Sequence, residues 1–223
     1  MLTVDCPNCG APVVFRSASL PTRVCDYCRT MLVRAGDTVM PVGTAAELPF
    51  DVSPVQLGMR GAVDGHDFEV IGRMRWAWEA GSWNEWLLLF ADGRQAWLGD
   101  AMGQFMLLFE RPVTELRSPV ARKVIDGGEA PPGATFEIDG ERMTIADARE
   151  VQSTAAEGEL PFRAPQGWRM YSVDLRGASG RAASIQRDQD GTSFYDGVYL
   201  TLADLAPRGL RRFEGWGLPG YGS

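Results

Sequence analysis

FEVIGRMRWAWEAGSWNEWLLLFADGRQAWL, residues 68–98, decides how the rest of this chain folds. Phe68, Val70, Met74, Trp76 and Trp78 alternate with Glu69, Arg73, Arg75 and Glu79. A period of two gives a strand one apolar and one charged side. Ala80, Gly81 and Ser82 supply a turn, residues 83–90 make a second strand, and Ala91, Asp92 and Gly93 turn the chain into a third. Five of the seven tryptophans lie between Trp76 and Trp97. Each such aromatic buries about 150–250 Å². Together they supply on the order of 20–30 kcal/mol gross, at about 25 cal/mol per Å², before chain entropy is charged. The meander is therefore the expected core.

Outward from it, the chain repeats itself. GMRGAVDGHDFEV (58–70) matches GATFEIDGERMTI (133–145) at an offset of 75 residues. The shared Asp-Gly pair predicts a type I′ hairpin turn in each copy. GRQAWL (93–98) matches GRAASI (180–185) at an offset of 87, so the second copy carries an insertion, best placed at 155–166. Matched order and matched turn chemistry point to internal duplication. Residues 99–110 read as a short capping helix or a further strand. Tyr171, Val173 and Leu175 alternate with Ser172, Asp174 and Arg176, the pattern of a half-buried strand.

The four cysteines are Cys6, Cys9, Cys25 and Cys28, two C-x-x-C pairs separated by fifteen residues. That spacing lets two tight turns aim four sulfurs at one ion, the chemistry of a structural zinc site. Disulfides and a redox dithiol are the competing readings. The first lacks a secretion signal, and the second lacks the strand-to-helix junction it needs. A closed four-sulfur shell leaves no position for substrate, so Zn²⁺ is expected to be structural. Arg16, Arg23, Arg29 and Arg34 give the segment a mild positive excess, which keeps nucleic-acid contact open as an alternative.

The expected organisation is all-β. A zinc ribbon (1–36) and a linker (37–56) precede a duplicated barrel-like or sheet domain with few short helices (57–207), its copies at 57–112 and 132–207. A tail rich in Gly, Arg and aromatics follows (208–223). The formal net charge is −7, and four thiolates on one dication would lower it further. So acidic a surface disfavours nucleic-acid binding by the whole molecule. With no signal peptide and no run of roughly 20 apolar residues, a cytoplasmic protein is expected, at most peripheral to a membrane.

Several of these residues resemble a bacterial family known as domain of unknown function 4178. They are the Gly-turn-strand opening at 58–72, WNEW (83–86), Asp92-Gly93, Trp97-Leu98, GELP (158–161), Tyr171, Asp174-Leu175 and YDG (195–197). The resemblance spans about residues 57–205 and implies no established activity. It does imply an accessory or adaptor role beside membrane-stress and ESCRT-III-like coat systems, with a membrane-associated protein partner.

The residues themselves contain little catalytic chemistry. His66 is the only histidine and sits in a turn, so a nucleophile–histidine device has no local support. Glu79 and Glu85 are paired carboxylates or, more simply, solvated hairpin ends. No catalytic residue is expected. Trp83, Glu85 and Trp86, with Trp97 beyond, are the candidate ligand- or partner-binding residues. An aromatic beside a carboxylate cradles a cationic group such as a polyamine; a purely fold-defining aromatic cluster is the competing reading. A non-enzymatic binding protein is the first expectation, and a small-ligand receptor or enzyme using the groove between the copies is the second.

Overall fold

The computed structural model describes residues 1–46, 51–101 and 103–214. Leu48 and Phe50 of the linker, and Trp216 and Tyr221 of the tail, lie outside the described residues.

At the N-terminus, β1 (Leu2–Asp5) and β2 (Pro12–Phe15) form a hairpin, and β3 (Thr22–Val24), β4 (Thr30–Ala35) and β5 (Thr38–Thr44) form an antiparallel sheet. The interval 37–56 is therefore only partly a connector. Thr38, Val39, Met40 and Val42 are good strand formers, and Gly36, at φ 64°, turns the chain back onto β4. Pro41 is tolerated because β5 is the edge strand, where a missing N–H costs little.

Two five-strand runs follow. The first is β6 (Arg60–Val63), β7 (His66–Trp78), β8 (Gly81–Phe90), β9 (Gln95–Ala101) and β10 (Gln104–Arg111). The second is β11 (Thr135–Ile138), β12 (Glu141–Leu160), β13 (Arg169–Gly177), β14 (Arg181–Arg187) and β15 (Thr192–Leu200). Between them lie a 3-10 turn (Val113–Glu115) and one short α-helix, α1 (Pro119–Ile125), capped by the Ser118 side chain. Residues 99–110 are strand, not helix. No described helix is long and apolar enough to cross a membrane.

Each run opens on its Asp-Gly turn with both residues at positive φ: Asp64 and Gly65 at 50° and 77°, Asp139 and Gly140 at 50° and 83°. Within each run consecutive strands pair antiparallel, and the runs then close on each other through β10–β15 and β7–β12. The result is a ring of eight strands, β7-β8-β9-β10-β15-β14-β13-β12, with β6 and β11 attached outside it. The pairing pattern is unchanged when the two runs are exchanged. β12 is 20 residues long where β7 is 13. Its extra C-terminal length pairs with β7 and then, at Glu159 and Leu160, with β3 of the N-terminal module. At the closure Gly72 faces Gly158. A Cβ on Gly72 would stand 1.9 Å from the Glu159 carbonyl oxygen, and one on Gly158 would stand 2.1 Å from that of Ile71.

The strands bury both faces. One face of the first run, including Phe68, Trp86, Leu88, Leu98 and Phe105, packs under Val55, Met59, Leu205 and Leu210. The matching face of the second run, including Met143, Val173, Leu175, Ile185 and Phe194, packs under Leu116, Ala121, Val124 and Ala130. The opposite faces point at each other across the ring. Part of that interior is filled: Leu108, Ala182 and Tyr195 pack with Trp97, and Ile71 and Leu87 pack with Leu20 of the N-terminal module. The connection after β12 brings Phe162 and Trp168 onto Trp97 and Trp76, at ring-centroid distances of 5.9 and 5.4 Å.

Candidate metal site and barrel mouth

The two C-x-x-C pairs sit in turns of identical bonding. Cys6 N–H donates to Ala11 O and Gly10 N–H to Cys6 O; Cys25 N–H donates to Thr30 O and Arg29 N–H to Cys25 O. Gly10 and Arg29 occupy the same place in each turn, at φ 75° and 60°. The four sulfurs all lie within 4.8 Å of one another, with Cys6–Cys28 at 3.7 Å and Cys9–Cys25 at 3.8 Å. A disulfide would need about 2.0 Å, and all four cysteines are free. A tetrahedron with metal–sulfur bonds of about 2.3 Å has edges of about 3.8 Å, so the residues fit one metal ion. The Thr30 hydroxyl, 3.1 Å from Cys28 Sγ, holds that thiol down toward the thiolate a metal requires.

The module is fastened to the barrel by the residues that give it positive charge. Glu159, fully buried, accepts from the backbone N–H of Arg16 at 2.6 Å and of Ser17 at 2.9 Å, and Arg23 lies 3.6 Å away. Arg29 donates to Ala46 O at 2.5 Å and to Ala156 O at 2.9 Å, and pairs with Glu157. The Arg16 side chain pairs with Glu69, and Arg34 folds back on Ser17, Ala18 and the Phe15 ring. A second fastening centres on Asp51. Its carboxylate takes Arg73 and Arg75 from β7, and Arg211 from the C-terminal segment. Burial pulls the Arg73 guanidinium down to about 10, and its face stacks on Trp86 at 4.5 Å.

The unfilled part of the ring interior opens as a cavity of about 510 Å³. Trp78, Trp83, Glu85 and Met106 line it from the first run; Asp147, Arg149, Asp174, Arg176, Ser184, Gln186 and Tyr199 line it from the second. Glu85 is a buried carboxylate in that lining. Its Oε2 accepts from Trp76 Nε1 at 2.8 Å, and its Oε1 from Trp83 Nε1 at 3.2 Å and Gln186 Nε2 at 3.0 Å. Burial, with the Asp174 charge nearby, still pushes Glu85 up to about 7 despite those three donors. Asp174 is pushed up to about 6, again by burial first, although Ser184 Oγ donates to it at 2.8 Å. Arg149 pairs with Asp147 at 2.6 Å and stacks on Trp78, and Arg176 stacks on Tyr199.

Of the four residues singled out in the sequence, Trp83 and Glu85 come together in this cavity. Trp86 points to the other strand face, its Nε1 3.4 Å from Asp100. Trp97 stacks on Phe162, away from the cavity lining. Asp174, Gln186 and Arg149 join the site, and sequence reading missed them. Their only signal was the polar side of an alternating strand, indistinguishable from a solvent-facing one. Glu79 lies outside the cavity lining, and His66 is exposed in the hairpin turn of the first run.

No curated protein and no solved structure matches the chain. The family described as Domain of unknown function (DUF4178) matches residues 56–202, from the entry of the first run to just beyond the last strand of the second. The WNEW element supplies Glu85 and Trp83, one of its two indole donors, and the GELP element supplies the ring closure and the Glu159 anchor. The chain belongs to the DUF4178 family.

Proposed function

We propose that this protein is a non-enzymatic binding protein, with the barrel mouth as its seat and the N-terminal module as a zinc-stapled buttress. The observation that carries the reading is the cavity itself. Side chains from both runs converge on it, and its buried carboxylate Glu85 is pinned by two indoles and an amide. Such pinning suits recognition better than proton shuttling, which asks for a group in reach of a substrate proton. Zinc is the metal four thiolates favour, and in a closed shell it supplies folding energy and not catalysis. Nucleic-acid contact loses its support because Arg16, Arg23, Arg29 and Arg34 are all engaged inside the molecule.

Gly99 lines the cavity at an ordinary φ, and a Cβ there would be in ordinary contact with Met106, its nearest atom the side-chain methyl at 3.4 Å. Gly99→Leu therefore fills the mouth without straining the backbone. A thermal-shift screen of a metabolite panel should find compounds that raise the Tm of the wild type and not of Gly99→Leu. No responsive compound, or responses of equal size in both proteins, would overturn the reading.

A further inference from the structure

We propose that the barrel mouth binds a protonated primary amine, held between Glu85 and Asp174 and walled by Trp78 and Trp83. The inference rests on the binding reading above and names the chemistry of its ligand. The mouth carries charges of both signs, but they are not equivalent. Asp147 and Arg149 neutralise each other at 2.6 Å, and Arg176 lies on the Tyr199 ring at 4.4 Å. No ion pair reaches Glu85 or Asp174 among the described residues. Carboxylates outnumber guanidiniums in the lining, Glu85, Asp100, Asp147 and Asp174 against Arg149 and Arg176, so an anion would meet an acidic excess.

A buried hydroxyl stands beside the same carboxylate. Ser172 Oγ is buried, makes no close hydrogen bond, and lies near enough to Asp174 to favour its charged form. It lies two residues before Asp174 on the same face of β13, with Arg149 and Gln186, both lining residues, as its cross-strand neighbours. Its side chain therefore points into the ring. Glu85 and Asp174 both line the cavity, close enough for the charge of one to act on the other, and offer carboxylate acceptors to one ligand. A primary ammonium offers three N–H donors and one charge, whereas a quaternary ammonium would leave those acceptors unmade. The Trp83 ring, 5.8 Å from that of Trp78, supplies a π-face of the kind cations prefer, while Trp78 carries the Arg149 guanidinium. Met106 and Leu108 line the same cavity and give an alkyl chain its apolar contact. In the empty mouth Glu85 and Asp174 meet burial by holding protons at higher pH than carboxylates normally do, and an ammonium would replace them.

The test uses the full-length zinc-loaded protein and n-butylamine as the probe, with n-butanol and butyrate as size-matched controls. Binding is followed by the indole N–H resonances of Trp76 and Trp83, which donate to Glu85. Butylamine is expected to move both resonances saturably while the controls do not. Asp174→Asn, which spares the Glu85 hydrogen bonds, is expected to weaken it by about ten-fold or more, the usual cost of losing a charged partner. Equal responses to butanol or butyrate, or an undiminished amine response in Asp174→Asn, would overturn the proposal. If the metabolite screen instead yields uncharged or anionic ligands blocked by Gly99→Leu, the seat stands and the amine assignment falls. If Asp174→Asn fails to fold, Gly99→Leu takes its place, and an amine response surviving there is equally fatal.

Discussion

Glu85 has two indole N–H donors and an amide for partners, yet no cation. Three hydrogen bonds favour its charged form, and burial outweighs them, so that it takes up a proton near pH 7. The groups facing it are Asp174 on β13 and Gln186 on β14, with Tyr195 on β15 interacting at longer range. Its pKa is about 7 in the fold against 4.5 ordinarily, so between those values the folded state binds more protons than the unfolded chain. Its contribution is therefore full below pH 4.5 and is lost as pH rises through 7. Asp174 acts in the same direction over a slightly lower window. Asp139, held down to about 2 by Arg111 and Arg181, titrates well below it. Urea unfolding should show stability falling by about 3 kcal/mol from pH 5 to pH 8 in the ligand-free protein, and Glu85→Gln should flatten most of that slope. An unchanged slope in Glu85→Gln would show that Glu85 is not the group responsible.

At the scale of elements, β12 carries more than its sequence announced. The strands, the paired Asp-Gly turns and the position of the insertion were legible, because period-two alternation and turn residues are local signals. What lies beyond reach is where the inserted residues go. Ala155 to Gly158 pair with β7 to close the ring, and Glu159 and Leu160 pair with β3. That placement depends on contacts more than 80 residues apart in sequence, such as Gly72 with Gly158. The polar faces of β8 and β13 were misleading for a related reason. Alternation reports that two faces differ, not that one faces water, and here the polar face lines a closed ring. β5 was hidden by Pro41 and Gly43, whose breaker character matters less on an edge. Gly158, at φ 69° and facing the Ile71 carbonyl, tolerates no Cβ. Gly158→Ala is expected to cost about 2–4 kcal/mol through strain and forced separation of β7 from β12. Gly140→Ala, at positive φ but facing open space, should cost only about 1 kcal/mol. Similar losses in the two variants would contradict the close approach.

The whole molecule is held by two fastenings of opposite design. Asp51 gathers Arg73, Arg75 and Arg211, so one carboxylate ties the end of the linker and the C-terminal stretch to the first run. Glu159 does the reverse, reaching out of the barrel to take two backbone N–H groups of the N-terminal module. The sequence marked the metal site clearly, since two spaced C-x-x-C pairs are strong chemistry, but it treated the ribbon as a separate unit. The structure joins the cysteine cluster and the barrel through short links: Cys28 is followed by Arg29, which bonds Ala156 of the closing strand, and Leu20 fills the ring interior beside Ile71 and Leu87. Removing the metal should therefore do more than unfold a small appendage. Without it the two turns lose their common anchor, Arg16 and Ser17 lose their place over Glu159, and Leu20 leaves its pocket. Losing one buried leucine and two charge-assisted hydrogen bonds should lower stability by about 3–6 kcal/mol. Hydrogen exchange after chelation should show the Arg16 and Ser17 amides unprotected and β12 frayed at residues 156–160. β9, β10, β14 and β15, which make no pairing with the module, should keep their protection. The same pattern is expected of Cys6→Ser, with metal content below one equivalent. Full protection at Arg16 and Ser17 in the metal-free protein would show that the module stands on the barrel without its ion.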